Sequence, residues 1–117
     1  MLLLLQHEVV AKMSDRQEKI LEQIADERFS QLKKWGAQAH PDGTYNDFQD
    51  KISEARDTCE YERYNLVKGP SWRAILYEEV MESFGETDKA KLRAELIQVA
   101  AVAVAWIEDL DSRKDEP

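Results

Sequence analysis

Cysteine is nearly missing from this sequence: Cys59 stands alone, so no intramolecular disulfide can form and a small bridged scaffold is excluded. A lone thiol suits a reducing cytoplasm, and its place on a helical apolar stripe predicts a small buried hydrophobe. Four Gly and three Pro supply few chain breakers, which disfavours a many-turned β fold and favours long helices. Basic residues are in deficit, 16 Lys and Arg against 24 Asp and Glu for a net charge of −8. Without clustered cations to neutralise phosphates, generic binding to duplex nucleic acid is excluded. Long hydrophobic runs are scarce as well. The opening MLLLLQHEVV has too short an apolar region for a signal peptide and no cationic start, and no segment reads as a membrane span, so a cytoplasmic location is expected. What remains is 43% hydrophobic and 34% charged over 117 residues, the composition of one globular domain. A chain of this size buries only about two-thirds of its unfolded surface, so self-association adds usefully to its core.

The spacing of Ser14 and Gln17 fits a capping box, predicting a first helix over about 14–35, with residues 1–13 as an extension outside the fold core. Leu21, Ile24, Arg28, Leu32 and Trp35 form its stripe, and Gly36 ends it. GAQAHPDGTYN collects turn formers and reads as a loop. Phe48, Ile52, Ala55 and Cys59 repeat at helical spacing and predict a second helix over about 47–64. Ser71 can cap a third helix from Trp72 to near Gly85, and Thr87 or Asp88 a fourth through LRAELIQVAAVAVAWIEDL. That fourth helix carries Leu92, Leu96, Val99, Ala103, Trp106, Ile107 and Leu110, widened by Val102 and Val104, and is expected to be central and largely buried. The expected architecture is all-α, resembling a four-helix bundle, over residues 14–111 with a charged tail at 112–117.

Chemistry concentrates in ILYEEVMESFGE, where Glu79, Glu82 and Glu86 share one side of the third helix with Ile75 and Trp72. Acids on one stripe repel one another, and burial raises that cost unless a cation lies among them. Glu95 and Gln98 flank the apolar stripe of the fourth helix, and antiparallel packing across the short connection brings them opposite Glu79 and Glu82. Oxygen donors of this kind suit magnesium or manganese, and no His or Cys cluster points to zinc. The bland alternative is a solvated acidic face.

Here the sequence resembles the MazG-like all-α nucleoside triphosphate pyrophosphohydrolases, whose pattern is ExxE followed on the next helix by ExxD. Glu79-Val80-Met81-Glu82 matches the first half and Glu95-Leu96-Ile97-Gln98 the second, with twelve residues between, except that Gln98 stands where the family has Asp. EEVMES and the apolar fourth helix are similar to actinobacterial and phage members. The resemblance implies cleavage of a nucleoside triphosphate to monophosphate and pyrophosphate, with Mg2+ (or Mn2+) held by Glu79, Glu82, Glu95 and Gln98. It further implies Glu78 or Glu82 as the base that activates water, and a homodimer or homotetramer as the assembly. An acidic protein can bind an anionic nucleotide in this way because a bound cation reverses the local sign. Trp35 offers a stacking surface for a base, Gln38 and His40 can read its edge, and Trp72 and Arg73 are second candidates for substrate contact. The competing reading, favoured by Gln98, is a catalytically degenerate relative acting as a nucleotide-binding or helical interaction module.

Overall fold

The computed structural model describes residues 2–113, with side chains from Asp15 onward. The element order is α1 (Leu2–Trp35), α2 (Gln49–Asn65), α3 (Trp72–Phe84) and α4 (Lys89–Arg113). Among the described residues there is no strand, and no helix is long and apolar enough to cross a membrane. The chain is all-α.

α1 departs from its predicted start. Ser14 lies inside the helix rather than ahead of it, because no Gly or Pro interrupts the sequence before Trp35 and the apolar opening continues the helical path. The side chains of the proposed extension at 1–13 lie outside the described residues, as do positions 114–117 of the expected tail. Ser112 and Arg113 belong to α4. The end of α1 falls where the sequence placed it: Gly36 takes a positive φ of 71° and its N–H donates to Leu32 O at 2.8 Å.

Two compact units divide the chain, Pro41–Ala103 and Met1–His40 with Val104–Pro117. In the first, α2 and α3 form an antiparallel pair around Ile52, Ala55 and Met81, with Phe48, Tyr77 and Val80 packed against them. The 66–71 connection is tied at both ends. Ser71 Oγ accepts from Ala74 N at 3.2 Å as the cap of α3, and Ser71 N donates to Glu62 Oε1 at 2.7 Å. Cys59 is buried, as its apolar position predicted. At the other end of the pair the Phe48 ring meets Tyr45 and Phe84, with centroids 4.6 and 5.7 Å away. Asp88 Oδ2 accepts from Lys91 N at 3.0 Å, so of the two proposed caps Asp88 opens α4.

In the second unit Ile20 and Val104 are buried, whereas Leu21, Ile24, Leu32 and Trp35, the stripe read from sequence, are 41–61% exposed. The expectation of a largely buried α4 is also corrected. Leu92 and Val104 are buried, but Leu96, Ile97 and Leu110 stay 44–55% exposed. A helix apolar around most of its circumference needs neighbours on several sides, and the single chain does not cover them all.

Candidate metal centre

Successive residues of an α-helix turn by about 100°, so the acids of α3 spread around one side of it. Glu78 lies with Ala74 and Met81 toward α2, Glu79 lies about 100° further round, and Glu82 falls between them. Glu78 accordingly meets two α2 side chains: it lies beside the Cys59 thiol, and Arg56 Nε approaches its Oε1 at 3.9 Å. Burial, with the Glu78 carboxylate alongside, pushes the Cys59 thiol up to about 12. Cys59 is therefore an unreactive thiol.

Glu79 and Glu82 of α3 converge with Glu95 of α4, one carboxylate oxygen from each lying within 4.8 Å of the others. All three side chains are half-buried. Desolvation raises the Glu79 carboxyl above its ordinary value, and the charges of Glu82, Glu95 and Glu78 raise it further. Glu95 is raised for the same first reason, then by Glu82 and Glu86, against a smaller lowering by Arg56. Both shifts mark a site whose negative charge is incompletely balanced.

The donor set fits a hard cation. Ligand oxygens about 2.1 Å from magnesium are about 3 Å apart when adjacent and about 4 Å when opposite, so small side-chain rotations bring these three carboxylates into one coordination sphere. Gln98 follows Glu95 by one turn and is exposed. Glu86, read from sequence as part of the same helix side, lies beyond the end of α3: its Oε1 accepts from Asp88 N at 3.0 Å within the turn between α3 and α4.

Sequence reasoning missed Arg56. Its Nη2 donates to Glu82 Oε1 at 3.2 Å, which places the guanidinium of α2 against a member of the trio. The signal lay in the α2 stripe, since the residue after buried Ala55 sits at the edge of the face that meets α3.

The proposed substrate residues are distributed more widely. Trp72 has the azimuth of Glu79 two turns earlier on α3, about 10 Å along the axis, and is half-buried. Arg73 lies about half a turn around α3 from Glu82 and lines a pocket of about 260 Å³ with Glu54, Thr58, Ala74 and Tyr77. In the other unit Trp35 and Gln38 line one surface depression with Glu27 and Gln31, and Lys34 Nζ stands 4.9 Å from the Trp35 ring centroid. His40 is exposed in the loop that follows. Set against models of known families, curated proteins and solved structures, the chain matches none.

Proposed function

We propose that this chain is a divalent-metal-dependent nucleoside triphosphate pyrophosphohydrolase of the MazG-like all-α type. The observation that carries the reading is the convergence of Glu79, Glu82 and Glu95 from two successive helices, in the ExxE and Exx spacing that the sequence resemblance singles out. Glu79, Glu82 and Glu95 would hold Mg2+ or Mn2+, with Gln98 contributing a neutral amide oxygen from the same helix. Such an ion, when bound, offsets the charge of the polyphosphate and polarises the attacked phosphorus.

The chain's own groups do the remainder. A carboxylate of Glu82 or Glu78 takes a proton from water as the water oxygen bonds to the α-phosphorus and the bond to the β-phosphate oxygen breaks. Arg56 approaches both, at 3.9 Å from Glu78 Oε1 and 3.2 Å from Glu82 Oε1, so the two stay open as the base. Trp35, in the other unit, offers an exposed ring for stacking on a base, with Gln38 and His40 near it in sequence; Trp72, on the Glu79 side of α3, is the second candidate for substrate contact, while Arg73 faces the pocket of Glu54, Thr58 and Tyr77. Exposed apolar side chains on α1 and α4 support a homodimer or homotetramer, and the lone thiol supports a cytoplasmic setting.

The experiment is incubation of the purified protein with a panel of nucleoside triphosphates and Mg2+, with chelator as control, measuring pyrophosphate and monophosphate. Their release in equal amounts, abolished by chelator, is the expected result. Orthophosphate in place of pyrophosphate rejects the cleavage position. The second reading, a degenerate nucleotide-binding or helical module, is favoured by neutral Gln98 and predicts nucleotide binding with no release of either product.

A further inference from the structure

We propose that Arg56 grips the polyphosphate of the substrate, an inference that rests on the nucleotide-cleaving reading above. α2 contributes no carboxylate to the Glu79, Glu82 and Glu95 trio, yet it sends a guanidinium to its edge, where Nη2 meets Glu82 Oε1 at 3.2 Å and Nε stands 3.9 Å from Glu78 Oε1. The second distance is an ion pair without a hydrogen bond. The Arg56 side chain is 60% exposed, so its head is open to an anion arriving from solvent. An exposed ion pair of this kind adds little to stability, which leaves its position unexplained by folding alone.

Charge supplies the reason. Three carboxylates outweigh one divalent cation, and a polyphosphate adds several further negative charges, so a fixed protein cation is needed beside the metal ligands. A guanidinium presents five N–H donors in a planar fork that matches two phosphate oxygens, and Nη1 lies outside both of the pairs that Arg56 makes. The lysines and arginines of ordinary surface faces lack this placement against an acid trio.

The test separates cation binding from phosphate binding by calorimetry, using Mn2+ alone and then inorganic pyrophosphate with Mg2+, on the wild type, Arg56→Gln and Arg56→Lys. The expected result is a loss of pyrophosphate affinity of about tenfold or more in Arg56→Gln, partly recovered in Arg56→Lys, with Mn2+ affinity held or tightened because a like charge has left. With nucleotide, KM rises more than kcat falls. Unchanged pyrophosphate affinity in Arg56→Gln, with only a lower Tm, overturns the inference and leaves an interhelical ion pair. Loss of Mn2+ affinity in that variant overturns it too, since Arg56 would then position Glu82. A wild type that binds no Mn2+ rejects the metal-site function itself, and this inference falls with it; Mn2+ binding with pyrophosphate indifferent to Arg56 rejects this inference alone.

Discussion

Glu79 and Glu95 hold their carboxyls above the usual range, because burial and neighbouring acids disfavour the charged form. A raised folded-state value means that the folded chain binds these protons more tightly than the unfolded chain. Their contribution to stability is therefore most favourable at acid pH and is lost as pH rises from the ordinary carboxylate value through the raised one. In chelator, Glu95→Gln is expected to raise Tm at neutral pH, with the difference from wild type closing as pH falls through the raised value and below the ordinary carboxylate value. A pH series of melting curves checks this, and a gain that persists at acid pH would count against the charge explanation. Glu79→Gln should remove turnover by about a hundredfold or more while leaving helix content intact, since it deletes one charge that holds the cation. Glu86→Gln should be far milder, because Glu86 serves the turn at Asp88. Equal losses in the two variants would undo the metal assignment. Gln98→Asp adds a carboxylate one turn beyond Glu95 and should enlarge the Mg2+-dependent rise in Tm. A variant destabilised alike with and without Mg2+ would place Gln98 outside the coordination sphere.

At the scale of elements, Gly85 ends α3 where the sequence placed that end. It stands where a helix C-terminus was expected, yet its φ is −88°, so no left-handed backbone requires glycine there. A Cβ would meet Ile52 Cδ1 at 2.9 Å and Phe48 Cβ at 3.2 Å, so what glycine permits is the close approach of the end of α3 to the start of α2. Gly85→Ala is expected to lower stability by about 1–2 kcal/mol through overpacking, measured by denaturant unfolding. An unchanged midpoint would mean that Ile52 yields freely. Periodicity made α2, α3 and the opening of α4 legible, since Ile52, Ala55 and Cys59 are buried and Ser71 and Asp88 cap their helices. It misplaced the start of α1, because Ser14 is an acceptable interior helix residue and a capping box is only a local preference.

For the whole molecule, the exposed apolar side chains are the main property left unbalanced. Leu21, Ile24, Leu32 and Trp35 on α1 and Leu96, Ile97 and Leu110 on α4 are large apolar side chains left 41–61% exposed. The expected outcome of light scattering is a dimer or larger assembly, and Leu32→Glu should shift it toward monomer by placing a charge in the contact. A wild-type monomer at micromolar concentration would remove this expectation.

By itself the sequence determined the helical class, the turn positions and the side of α3 on which Glu79 and Glu82 lie, because helix periodicity and capping depend on neighbours within a few residues. Only the tertiary structure decided that Glu95 closes the trio, that Glu78 faces Cys59 and Arg56, and that the α1 stripe remains uncovered. Those outcomes depend on how α2, α3 and α4 approach one another across large sequence separations. A one-dimensional pattern places residues on the faces of a helix but does not state which face another element covers.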